Sequence, residues 1–181
     1  MCENQSVKIK ELVQDLNLVS QLEYEMQPLH KEVVRLSKLL RSYVADLLNT
    51  GISDSYIIGI QIDPDAENAV LECDARLISR AVNNLVQNSM KHNPLGCRIL
   101  LSLSQTKNIP QLIVQDDGVG LSEKKLQELK EKPHYLECTD ERLDLRHGLG
   151  LVLVRQIVAA HGGTMTIDSK INCGCKITLI F

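Results

Sequence analysis

The stretch from Ile78 to Pro94 constrains this chain most, because one helix must bury one side and present another chemistry beside it. Counting at about 100° per residue, Ile78, Ala81, Val82, Leu85 and Val86 fall on one arc of that helix. Asn84, Asn88, Lys91 and His92 share a neighbouring quarter turn. Such a helix needs a core on one side and leaves two carboxamides and a cation together at its C-terminal half. Taken alone, the polar quarter reads first as a solvated face of an amphipathic helix, and otherwise as the metal and phosphate end of a nucleotide site. Asp74 is the expected N-cap, and Asn93-Pro94-Leu95-Gly96 the expected stop.

Around that helix, strands and helices come in unequal order. From about Val7 to Met26, Ile9, Leu12, Leu16 and Val19 recur at spacings of three and four, the seam of a helix that packs on another helix or on the main domain. Pro28 ends it. A short strand is expected over Leu29–Val34, then a helix on Leu36, Leu39, Leu40, Val44, Leu47 and Leu48, closed by Asn49-Thr50-Gly51. Tyr56–Ile62 and Ala69–Glu72 read as a hairpin turned at Asp63-Pro64-Asp65. Further strands are expected at Arg98–Ser104, Gln111–Gln115, Thr164–Asp168 and Lys176–Phe181. Helices are expected near Glu123–Glu131 and over Gly150–Ala160, the last running into a glycine stop at His161-Gly162-Gly163. This order predicts an α/β two-layer sandwich, a mixed β-sheet packed on helices and preceded by one long helix.

Composition narrows the function classes. A chain of 181 residues that is 44% hydrophobic supports one domain plus an appendage, and a formal charge of −3 carries no basic signal for nucleic acid. No apolar run is long enough to span a membrane and no leader with a cleavage site is visible, so a soluble, unexported chain is expected. The six cysteines lack any paired C-x-x-C spacing and are read as reduced thiols.

Two glycine-rich stretches follow the polar helix. Asp116-Asp117-Gly118-Val119-Gly120 ends a strand, where a carboxylate beside an apolar wall can accept from an exocyclic amine such as that of adenine, and the glycines let a ligand lie against the backbone. Gly148-Leu149-Gly150 opens a helix whose unpaired N–H groups suit a phosphate. Read singly, these are also a tight turn and an ordinary helix start. Between them, Leu121–Gly148 is polar and long enough for a lid.

In combination these elements resemble the catalytic ATP-binding domain of sensor histidine kinases, the Bergerat-type (GHKL) fold shared with gyrase, heat-shock chaperones and mismatch-repair ATPases. NLVQNSMKHNP resembles the N box, VQDDGVGL the first glycine box, HGLGLVLVRQIVAAHGG the second, and SKINCGCKI the terminal element, with Ser169 and Gly174 kept. LVQDLNLVSQLEYEM resembles the second helix of the dimerisation and phosphoacceptor hairpin.

The resemblance implies residues 1–27 as a remnant of that hairpin and 28–181 as the ATP-binding domain, with its lid at about 121–148. It implies ATP and Mg²⁺ as ligands, with Asn88 on the metal, Lys91 on phosphate, Asp116 on the adenine amine, and His92 near base or ribose. Asn84, Gly118, Gly120, Arg146, Gly148, Leu149 and Gly150 complete the site, with Arg142 and Arg146 as lid candidates for the terminal phosphate. In the hydrolytic members a Glu stands where this chain has Asn84, and an amide cannot take a proton from water. Transfer of the γ-phosphoryl to a histidine is therefore implied over hydrolysis. None of His30, His92, His134, His147 and His161 lies in an acceptor context, so the acceptor helix is expected outside the chain.

The implied partners are that helix, a response regulator receiver domain and a second copy in the full-length protein. The implied place is a cytoplasmic domain of a membrane-anchored parent. The chain departs from the pattern at Arg146, Cys175, Ile177 and a missing lid Phe. A degenerate interaction module of the same fold, or a hydrolytic or serine-directed relative, is the alternative.

Overall fold

A computed structural model of the protein describes residues 13–22, 28–131 and 149–181. Helix α1 covers residues 13–22. It is followed by β1 (Glu32–Arg35), α2 (Leu36–Asn49), β2 (Ile57–Ile62), a 3-10 turn at Pro64–Ala66, β3 (Val70–Cys73), α3 (Ala75–His92), β4 (Arg98–Thr106), β5 (Ile109–Asp116), α4 (Glu123–Glu131), α5 (Leu149–Ala160), β6 (Thr164–Ser169) and β7 (Cys175–Ile180). The main sheet has the order β2-β4-β5-β7-β6, with β2 parallel to β4 and the other neighbours antiparallel. This is the mixed sheet and helix layer expected from the element order, with a helix before it.

Alternation along the strands decides which face is covered. Register puts Ile99, Leu101 and Leu103 of β4 beside Asp116, Val114 and Leu112 of β5, and these beside Cys175, Ile177 and Leu179 of β7. Except for Cys175, which is half-buried, these residues are buried. Onto that row pack the apolar arcs of α3 (Ile78, Ala81, Val82, Leu85, Val86) and α5 (Val152, Leu153, Val154, Ile157, Val158). Each fully buried Leu or Ile contributes about 1.5–3 kcal/mol relative to exposure, so aliphatic side chains hold the domain with only one Phe and no Trp in the sequence. The β4–β5 connection is a two-residue turn in which Lys107 (φ 52°) and Asn108 (φ 64°) are both left-handed. Such a turn suits the twist of paired strands.

The hairpin expected of β2 and β3 does not form. β2 pairs with β4, and β3 pairs antiparallel with β1 in a separate two-stranded sheet. The residues between them form a 3-10 turn at Pro64–Ala66, with Ala66 fully buried. The long aliphatic row of β4 gives Ile58, Ile60 and Ile62 more to pair with than the four residues of β3.

Asp74 caps α3 as expected, its Oδ1 accepting from the Arg76 and Leu77 amides at 3.1 and 3.2 Å. Its Oδ2 accepts from the His30 amide at 3.2 Å, and its own amide donates to His161 Nε2 at 3.0 Å. His161 Nδ1 lies 2.7 Å from the Ile157 carbonyl, so the ring joins the end of α5 to the start of α3. Helix α1 buries Leu18, Val19 and Leu22 in the same core, and Asp15 pairs with Arg80 of α3. Of the expected seam, Val19 is buried, Leu16 is exposed, and Ile9 and Leu12 lie outside the described residues. Among the described residues no helix is long and apolar enough to cross a membrane.

Candidate functional site

Asp116 ends β5 and Asp117 follows it, one buried and the other exposed. Asp117 is exposed, and its Oδ1 accepts from the Arg98 amide at 2.7 Å. Asp116 continues the core-facing row and is only 5% exposed. A buried carboxylate must be matched by donors, and three reach it. Ser89 Oγ donates to Oδ2 at 2.9 Å, while the Gly118 amide and Asn93 Nδ2 donate to Oδ1 at 3.0 and 3.4 Å. A carboxylate has about four acceptor directions. Asp116 also lines a cavity of about 180 Å³, where a ligand donor can meet it.

Asn93 organises the turn around that carboxylate. Its Nδ2 also donates to the Ser89 carbonyl at 2.8 Å, and its Oδ1 accepts from the Val119 amide at 2.9 Å. A Cβ on Gly118 would lie 1.9 Å from Asn93 Oδ1. The absence of a side chain at Gly118 thus makes room for the protein's own Asn93, where the sequence pointed to room for a ligand. Only Gly120 of the pair takes a positive φ, +64°. On the other side, Gly174 (φ +78°) lets the β6–β7 turn approach, since its Cβ would lie 1.9 Å from the Asp116 carbonyl oxygen. Ser169 Oγ donates to the Gly174 carbonyl at 2.7 Å and accepts from the Leu121 amide at 2.9 Å, tying that turn to the base of α4.

The cavity runs from Asp116 along α3. Its polar lining is Asn88, Ser89, His92, Asn93, Asp116 and Lys125, and its apolar walls include Val114, Ile177, Leu121 and Leu151. Asn84 and Asn88 stand together beside α5. A Cβ on Gly150 would be 3.5 Å from Asn84 Oδ1 and from both polar atoms of the Asn88 carboxamide. Asn84 Nδ2 donates back to the Arg80 carbonyl at 3.0 Å, which fixes its orientation. Burial, reinforced by the Asp116 charge, pushes the thiol of the lining residue Cys175 up to about 11. Burial does the same to Cys97, where Asp116 and Asp117 add to the effect and a hydrogen bond from Asn93 opposes it.

Of the residues expected from sequence, Asn88, His92, Asp116 and Gly120 line the cavity, and Asn84, Gly118 and Gly150 adjoin those that do. Leu149 opens α5 as described, while Lys91 is exposed at the end of α3 and is not among the lining residues. Arg142, Arg146 and Gly148 lie outside the described residues, as do His134, His147 and the lid from 132 to 148. Ser89, Asn93 and Lys125 were not anticipated, while Cys175 and Ile177, named only as departures from the family pattern, also line the cavity. Ser89 had a visible signal, since it continues the apolar arc of Leu85 and Val86 as a polar residue. Asn93 read only as a helix stop.

A buried acceptor at the end of an apolar slot suits an N–H donor on a flat heterocycle. The Asn88 carboxamide, which also lines the slot, offers its oxygen to a hard cation or its N–H groups to a phosphate. Among the described residues no group of three or more His, Cys, Asp or Glu side chains could hold a metal alone; Mg²⁺ is commonly held by few protein groups together with waters and ligand phosphates.

Residues 73–181 match the family described as histidine kinase-, DNA gyrase B-, and HSP90-like ATPase. The sensor histidine kinase YvrG of Bacillus subtilis (strain 168) is 29% identical over 173 residues, covering 96% of this chain and 29% of YvrG. The chain therefore spans under a third of that relative's length. The Acinetobacter baumannii histidine kinase AdeS has the same fold, with a TM-score of 0.76 at 18% identity over 98% of this chain and 80% of the AdeS chain. Full-length ShkA, solved in complex with AMPPNP, has a TM-score of 0.76 at 20% identity over 96% of this chain and 35% of its own. The chain thus belongs to the histidine kinase-, DNA gyrase B-, and HSP90-like ATPase family and is similar within it to the catalytic ATP-binding domains of sensor histidine kinases.

Proposed function

We propose that this chain binds ATP with Mg²⁺ and, as the catalytic domain of a two-component sensor kinase, transfers the γ-phosphoryl group to a histidine supplied by a separate helix. The observation that carries the reading is the buried Asp116 carboxylate, with three internal donors and one face on an apolar slot that leads to Asn88. Asp116 accepts from the adenine amine while Val114 and Ile177 flank the base. His92 lies toward the sugar, and Asn88 gives its carbonyl oxygen to the ion. When bound, Mg²⁺ neutralises charge on the phosphate oxygens. Lys91, at the exposed end of α3, adds charge there with Arg142 and Arg146 of the lid.

Asn84 supports transfer over hydrolysis. Its amide cannot serve as a base at neutral pH, and its Nδ2 is already committed to the Arg80 carbonyl. Catalysis then rests on positioning and charge neutralisation. The acceptor is a histidine on a hairpin to which residues 1–27 contribute the second helix, residues 28–181 being the ATP-binding domain. A receiver domain takes the phosphoryl group onward. The parent protein works as a homodimer with this domain on the cytoplasmic side of a membrane anchor.

The test is thermal unfolding of wild type, Asn88→Ala and Asp116→Asn with and without ATP and Mg²⁺. Ligand at about 100 times its dissociation constant stabilises the folded state by about 2.7 kcal/mol. The expected result is a shift in wild type that both substitutions abolish while each variant stays folded. No shift in wild type at saturating ATP would overturn the reading.

A further inference from the structure

The candidate site has a cation that the family motifs did not supply. Leu121, Lys125 and Leu129 are spaced by four residues, so they share one side of α4 and the turn before it, and all three line the cavity. The remaining lining residues include no other Lys or Arg, so among the described residues Lys125 is the cavity's one permanent positive charge.

Helix α4 is held in place from the opposite wall. Leu129 is in the last turn of α4, where carbonyls have no partner within the helix and carry the negative end of its dipole. Arg155 of α5 donates from Nη2 to the Leu129 carbonyl at 2.7 Å. Leu151, one turn before Arg155, lines the same cavity. One side of α5 therefore both walls the cavity and fastens the helix that carries Lys125.

We propose that Lys125 contacts a phosphate oxygen of the bound nucleotide, and that Arg155 is the positioning residue that holds α4 so that it can. The inference rests on the nucleotide reading above. With the base held at Asp116, the anionic part of the ligand lies in the remainder of the cavity. A lysine there is a point charge on a flexible four-carbon stem, suited to reaching a phosphate oxygen. A charge-assisted contact of this kind is strong enough to be read in affinity.

The experiment measures dissociation constants of ATP and adenosine, both with Mg²⁺, for wild type, Lys125→Glu, Lys125→Arg, Arg155→Ala and the double variant Lys125→Glu/Arg155→Ala. Unliganded thermal midpoints serve as the folding check. Lys125→Glu should weaken ATP by about tenfold or more, leave adenosine unchanged and be rescued by Lys125→Arg. Arg155→Ala should weaken ATP in the same selective way, and in its background the charge reversal should cost less than in wild type, the signature of coupled residues.

Equal loss for ATP and adenosine would mean that Lys125 only packs, and it would overturn the proposal. Wild-type ATP affinity in Lys125→Glu would overturn it as well. Additive losses in the double variant would remove Arg155 from the positioning role. Absence of ATP binding by wild type would instead overturn the nucleotide reading on which the proposal stands.

Discussion

Ser89 Oγ donates a 2.9 Å hydrogen bond to Oδ2 of Asp116, joining the end of α3 to the end of β5 where both residues are buried. The bond sets the distance between the polar face of α3 and the strand that delivers the carboxylate, so the geometry of the site depends on it. Ser89→Ala removes one of three donors from a buried charge and should cost about 1–3 kcal/mol of stability. Urea denaturation of the unliganded protein measures this, and an unchanged midpoint would mean that Asp116 is not held from α3.

Asn88 and Asp116 both line the cavity, and on the proposed reading they meet different parts of the ligand, so they should fail differently. Asn88→Ala should abolish the Mg²⁺ dependence of ATP binding and leave adenosine affinity near wild type, whereas Asp116→Asn should weaken both ligands. Calorimetric titration with and without the ion separates the two. Equal effects of both substitutions on adenosine would count against the division of labour.

Gly118→Ala places a Cβ 1.9 Å from Asn93 Oδ1 and must displace that carboxamide. The expected cost is about 1–3 kcal/mol, together with loss of nucleotide-dependent stabilisation. Gly162→Ala is the control for conformational strain alone, since Gly162 has φ +74° but nothing within 4 Å of its Cβ position. A larger loss at Gly162 than at Gly118 in thermal midpoint would contradict the contact.

Leu22 of α1 is 7% exposed and belongs to the same core cluster as the sheet and the helices. Leu22→Ala should cost about 2–3 kcal/mol. If urea unfolding shows no change, α1 contributes nothing to the core.

Burial raises the thiols of Cys73, Cys97 and Cys175 from 9.0 to about 11. The folded state therefore favours the protonated thiols. Their contribution is fully present below the unfolded value and is lost as pH rises through about 11. The thermal midpoint should fall as pH rises from 9.0 toward about 11, and less steeply in Cys175→Ala. At neutral pH Cys175 should alkylate slowly, and more slowly still with ATP in the cavity it lines. A flat pH profile would refute the shared shift.

Much of the fold was legible because local chemistry set it. The α3 arc, the Asp74 cap, α4 at Glu123–Glu131 and the glycine stop after α5 each follow from periodicity or a single side chain. Asp116 and the carboxamides were legible as types at spacings. Strand partners were not. The β2–β3 hairpin failed because a turn composition reports where a strand ends, not which strand the chain pairs with next.

By itself the sequence determined the elements, the face each must bury and the residue types that can accept an amine or face a cation, since these depend on neighbours a few positions apart. Only the tertiary structure decided that β2 pairs with β4, that Gly118 yields space to Asn93, that Ser89 and Asn93 satisfy Asp116, and that Arg155 fastens the helix bearing Lys125. Each of those contacts joins residues more than twenty positions apart along the chain, where no periodicity or spacing rule reaches.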